Sequence, residues 1–174
     1  MAVIIKRPIQ RQSGMTLIEI LVTVLVLAVG LLGMASLTVG SLKNNQGAFL
    51  RTQATILTYD MADRMRSNAS QAIAGNYNSL TTSTTYADPS CMAAGCTGAD
   101  RVDADLFVWK QQIEGANGNM AMLPGGVGTI TGGGGATTAG NAFTITITWS
   151  EDRWNDVADS MATEIQQTTI EFAL

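Results

Sequence analysis

The stretch Gly14–Met34, GMTLIEILVTVLVLAVGLLGM, decides how this chain is read. It opens an apolar run over residues 15–42 whose only charge is Glu19. About 20 apolar residues let a helix cross the hydrocarbon core of a bilayer, so this run is long enough to span one. A carboxylate inside hydrocarbon costs a few kcal/mol on insertion scales. Glu19 therefore needs either a shallow position near the headgroups or a partner that offsets its burial.

Charge sets the expected orientation. Lys6, Arg7 and Arg11 precede the run, while Lys43 and then Arg51 follow it. Positive residues favour the cytoplasmic side, so the short N-terminus stays inside and the large C-terminal part is exported. Cys91 and Cys96 lie in that exported part, where a short-range disulfide persists. Two thiolates alone make a poor zinc site, because four ligands are usual.

Composition narrows the chemistry. The net charge is −4, and loss of Lys6, Arg7 and Arg11 takes it to about −7. An acidic domain of this kind is a poor electrostatic partner for nucleic acid. Histidine is absent, so no Ser-His-Asp or Cys-His arrangement and no imidazole ligand can form. The glycine run at 132–141, GGGGATTAGN, lacks the Gly-Lys-Ser/Thr ending of a phosphate loop and reads as a hairpin tip. The segment 151–160 gathers Glu151, Asp152, Asp156 and Asp159 without EF-hand spacing. It reads as a solvated connection between strands, with a calcium loop or a docking surface as alternatives. No catalytic residues and no cofactor are implied, and the chain is not expected to be an enzyme.

A cleaved secretory signal is a competing reading of the N-terminus, with a cut near Ala35. Its apolar region is normally shorter, about 7–15 residues, and does not account for Gly14 or Glu19. Gly14-Met15-Thr16-Leu17-Ile18-Glu19 instead resembles the class III signal of type IV pilins and pseudopilins. That pattern is a short basic leader ending in glycine, an apolar first mature residue and a glutamate fifth in the mature chain. The segments LLGMASL, NNQGAFLRTQAT and DMADRMR within residues 30–66 resemble minor pilins of the PilV type in particular. The resemblance implies that a prepilin peptidase cuts between Gly14 and Met15 and methylates the new amine on Met15. Phenylalanine is usual at that position, and Met15 keeps it apolar. It also gives Glu19 a partner: the N-terminal ammonium of a neighbouring subunit's Met15, which would fix the axial offset in a filament.

Beyond the run, Leu50, Ala54, Leu57, Met61 and Met65 recur at helical spacing, and Asp60 and Arg64 stand one turn apart. No proline occurs between Pro8 and Pro89, so a single helix is expected from Met15 to Asn68. At 1.5 Å per residue it is roughly 80 Å long. Residues 69–101 read as a long irregular connection. A short helix is expected from Asp103 to Gly115, with Asp103 as its cap and Trp109 turned inward. Strands are expected at Val127–Thr131, at Ala142–Ser150 and at Thr163–Leu174. In the second, Phe143, Ile145, Ile147 and Trp149 alternate with threonines.

The expected fold is α+β, a type IV pilin fold with a long helix on a small antiparallel sheet. Its parts are a leader at 1–14, a hydrophobic helix at 15–42 and an amphipathic continuation at 43–68. A loop region with a short helix follows at 69–126, and the sheet occupies 127–174. The resemblance implies a minor pilin held in the inner membrane by one span, its C-terminal domain periplasmic, until it joins a pilus. The implied partners are the major and other minor pilins, the prepilin peptidase and the inner-membrane assembly machinery. The alternatives are a type II secretion pseudopilin and, from another class, a membrane-anchored binding module or adhesin.

Overall fold

A computed structural model describes residues 14–115, 121–132, 142–155 and 160–174. The chain divides into two compact units, Met1–Leu42 and Lys43–Leu174. Helix α1, Leu17–Ser67, is long and apolar enough in its first part to cross a membrane.

In the first unit, the side chains from Met15 to Leu42 are all exposed. Two of the three threonines of this stretch, Thr23 and Thr38, satisfy themselves within the helix. Thr23 donates to the Ile20 carbonyl at 2.8 Å and Thr38 to the Met34 carbonyl at 2.9 Å. Such back-bonding lets a hydroxyl sit in an apolar setting without an unpaired donor. An added Cβ at Gly30, Gly33 or Gly40 would meet nothing within 4 Å. Whatever close approach these glycines permit is therefore an approach from outside the described residues.

The second unit is an α+β domain. After α1 come α2 (Ala69–Ile73), β1 (Leu80–Thr81), α3 (Gly98–Glu114), β2 (Val127–Gly132), β3 (Ala142–Asn155) and β4 (Ser160–Ala173). The strands form one antiparallel sheet in the order β1-β2-β3-β4. The expected stripe of α1 is the one that is buried. Ala54, Leu57, Met61 and Met65 are inaccessible or nearly so, and Leu50 packs at their edge. Facing them from the sheet are Ile130, Phe143, Ile145, Ile147 and Trp149, the odd-numbered positions of β3 with their β2 neighbour. Period-two burial on the strand and period-3.6 burial on the helix thus meet in one core.

Trp109 of α3 closes that core. It is fully buried, and its indole N–H donates to the Leu57 carbonyl at 3.0 Å. Its ring lies over Gly128, where a Cβ would overlap it. At the far end Phe143 and Phe172 stack with centroids 5.6 Å apart, and the Arg66 guanidinium sits 4.9 Å over Phe172.

Several boundaries differ from the sequence reading. Helix α3 starts at Gly98 with Thr97 as its extended cap, so Asp103 lies inside the helix and does not cap it. The reason is Val102, which stands four residues before Leu106 and extends the buried stripe by a turn. Strand β3 runs on through Glu151, Asp152 and Arg153 to Asn155, so residues 151–155 are strand. Pairing with β4 overrides their weak strand propensity: Thr163 donates to the Asp152 carboxylate at 2.7 Å. Residues 156–159 of the expected acidic connection, and 133–141 of the expected hairpin tip, lie outside the described residues. The segment read as irregular also contains α2 and the two-residue β1, in which Leu80 pairs with Ile130 and Thr81 with Thr129.

Trp109→Ala should cost about 3–5 kcal/mol as a large-to-small core change. Gly128→Ala should cost about 1–3 kcal/mol, because the tryptophan must shift. Urea unfolding of the full chain in neutral detergent, followed by circular dichroism, measures both.

Candidate functional site

The candidate assembly site is the start of α1. Gly14, Met15 and Thr16 precede the helix and are exposed. Thr16 carries its first hydrogen bonds: its carbonyl accepts from the Glu19 and Ile20 amides at 3.1 and 3.3 Å. The Thr16 hydroxyl also accepts from the Glu19 amide, at 3.3 Å. Thr16 is therefore the N-cap and Glu19 the third helical residue. A carboxylate there interacts favourably with the orphan amides and the positive end of the helix dipole.

The sequence reading gives Glu19 a shallow position near the headgroups or a partner, and does not include this local role. The signal was available, because Thr16-Leu17-Ile18-Glu19 has the spacing of a capping box ahead of an apolar run. Capping accounts for an acidic residue in the first turn, but a glutamine would serve the cap as well. The helix dipole favours the negative charge by about 0.3–1 kcal/mol, less than the few kcal/mol that a carboxylate costs inside hydrocarbon. At Gly14, an added Cβ would meet nothing within 4 Å, so packing of the described residues gives no reason for a glycine.

The other sequence-derived candidates belong to the second unit. Cys91 and Cys96 are joined in a disulfide, with Cα atoms 5.0 Å apart, in the segment between β1 and α3. Glu151 and Asp152 lie on β3, while Asp156 and Asp159 fall outside the described residues. Among the described residues, no group of three or more His, Cys, Asp or Glu side chains is placed to hold a metal ion.

The domain also holds a buried polar centre that the sequence did not announce. Asp105, on the inward face of α3, is 2% exposed. Its carboxylate accepts from the Tyr77 hydroxyl at 2.6 Å and lies 3.5 Å from the Arg64 and Arg101 guanidiniums. Asn68 donates to the Tyr77 oxygen at 3.1 Å, and Arg64 also holds Asp60 at 2.8 Å. The end of α1, the loop carrying Tyr77 and α3 are thus tied through one carboxylate. Burial, then the hydrogen bond to Asp105, pushes the Tyr77 phenol well above the usual tyrosine range. This is structural chemistry: every strong polar group in the cluster is engaged by another.

Comparison with known families bears on the N-terminal segment. Residues 9–35 match the family described as the prokaryotic N-terminal methylation motif. The match spans five residues before Gly14, Gly14 itself, the cap and three quarters of the apolar run. It supports a type IV pilin-like or pseudopilin protein anchored in the membrane by a single N-terminal helix, a structural class rather than an enzymatic one. No curated protein and no solved structure shows a significant match to the chain.

The Tyr77–Asp105 contact gives an alkaline signature. A phenol whose folded pKa is raised contributes stability that is fully present below the unfolded value, about 10, and is lost as pH rises above it. Tyr77→Phe should therefore flatten the fall in stability above pH 10. At neutral pH it should cost about 1–3 kcal/mol, since the buried carboxylate loses a donor. Urea midpoints across the pH range separate the two effects.

Proposed function

We propose that this protein is a minor pilin of the type IV pilus, of the PilV type, that primes or caps filament growth. The observation that carries the reading is the methylation-motif match over residues 9–35, a span that contains both Gly14 and Glu19. An α+β domain built on the continuation of the same helix supports it. In this reading, prepilin peptidase cuts between Gly14 and Met15 and methylates the Met15 amine. The open space around Gly14 fits a residue whose small size is required by the peptidase rather than by the fold.

The processed chain waits in the inner membrane with its C-terminal domain in the periplasm. On assembly, Glu19 pairs with the Met15 ammonium of a neighbouring subunit. The pairing replaces headgroup solvation by an ion pair in a low-dielectric filament core and sets the axial offset. Gly30, Gly33 and Gly40 let neighbouring helices approach closely. The other minor pilins, the major pilin and the inner-membrane assembly machinery are the partners. The biological output is pilus biogenesis, and through it adhesion and twitching motility.

Glu19→Gln separates the local helix start from pairing, because it keeps the backbone amide bonds to Thr16 and the side chain's size and loses the charge. The expected result is normal cleavage, seen by mass spectrometry of Met15, with loss of the protein from sheared surface pili. Normal incorporation of the Gln variant would remove the pairing mechanism. Deletion of the gene should reduce surface piliation, and pulldown should recover other pilins. Intact piliation with a loss of protein secretion would assign the chain to a type II secretion pseudopilus instead.

A further inference from the structure

We propose that the free edge of β4 is a docking site for an extended segment of another protein chain that carries basic side chains. β4 is the outermost strand of the sheet, and its far edge has no partner among the described residues. Its register with β3 is unbroken from Ala142↔Ala173 to Asn155↔Ser160, so no bulge turns the edge away. Over Ser160–Ala173 it contains no proline, no lysine and no arginine. Natural sheets block their edges with short strands, bulges, prolines or lysines, and a long edge without them pairs readily with a further strand. Exposed apolar side chains sit along the same strand: Ile165 is 68% and Met161 40% exposed.

The charges on β4 select the occupant. Glu164 and Glu171 are its only ionisable side chains, and they lie on opposite faces of the strand. Glu164 stands directly across from Glu151 of β3; Arg153 serves Glu151, and among the described residues neither Glu164 nor Glu171 forms an ion pair, which a cation on an added strand would supply. The nearby cations are already engaged. Arg66 holds Asp63 at 2.7 Å, and Arg153 lies 3.7 Å from Glu151 and 3.4 Å from Gln166. A second copy of β4 would bring two more carboxylates and no cation, so self-pairing is disfavoured. The matching segment carries Lys or Arg at two positions seven residues apart, opposite Glu164 and Glu171, and an apolar side chain beside Ile165. Backbone hydrogen bonds supply the affinity of such strand addition, and the side chains supply its selectivity. The inference concerns the second unit alone and stands apart from the pilin reading, which the Glu19 experiments test.

The test uses the full chain in neutral detergent and fluorescein-labelled twelve-residue probes. The first probe alternates valine and threonine, with lysines seven residues apart. The second replaces both lysines with glutamate, and the third is the first with alternate backbone amides methylated. Fluorescence anisotropy should show saturable binding of the first probe and at least tenfold weaker binding of the other two. Ile165→Lys, at an exposed position, should weaken the first probe at least tenfold while leaving the thermal unfolding curve unchanged. The double change Glu164→Lys with Glu171→Lys should invert the preference between the first two probes. Absence of binding, equal binding of the methylated probe, or no inversion by the charge-reversed protein would each overturn the proposal.

Discussion

The domain depends on how one tryptophan is housed. Trp109 has to be buried, its N–H has to find an acceptor, and its ring needs room against the sheet. The Leu57 carbonyl meets the second demand at 3.0 Å, and the missing side chain of Gly128 meets the third. These contacts join α1, α3 and β2 at one point. A helix carbonyl can receive a second donor only from its own side of the helix, so the indole bond turns the Leu57 side of α1 toward α3. The stripe from Ala54 to Met65 packs in the same core as β3 with this bond in place.

Much of this was legible in the sequence because it rests on period and length. The helix from the apolar run to Ser67 needed only the absence of proline and the recurrence of Leu50, Ala54, Leu57, Met61 and Met65. The alternation of Phe143, Ile145, Ile147 and Trp149 with threonine announced both a strand and its buried face. What was illegible depended on long-range pairing. β1 is two residues long and exists because Leu80 and Thr81 lie beside β2, which no local pattern in a Ser- and Thr-rich segment can show. The charged end of β3 looked like a connection until its match with β4 was in place. The start of α3 was misplaced because Asp103 looked like a cap and Val102 was not counted with the apolar stripe.

At the candidate site, the residue types were legible and part of their physics was not. Gly14 and Glu19 could be singled out from order alone. The local function of Thr16 became clear only with its hydrogen bonds to the Glu19 amide. Glu19 thus carries two separable properties, a side chain suited to the first helical turn and a charge that the turn itself does not require. Asp105 illustrates the reverse case. Its role arises from Tyr77, Arg64 and Arg101 converging from three places in the chain, and nothing in the sequence around it marks it out.

The outer face of the sheet follows a different rule from the inner one. Thr81, Thr129, Thr146 and Thr169 stand side by side across all four strands, each paired in register with the next. The hydroxyls of Thr146 and Thr169 meet at 3.0 Å, and none of the four side chains belongs to the core cluster. Substitutions in this row therefore add to, and do not couple with, those in the core. The domain can alter the surface it shows to its surroundings, residue by residue, while the packing behind it stays as it is. The sheet thus has one face held constant by folding and another open to diversification.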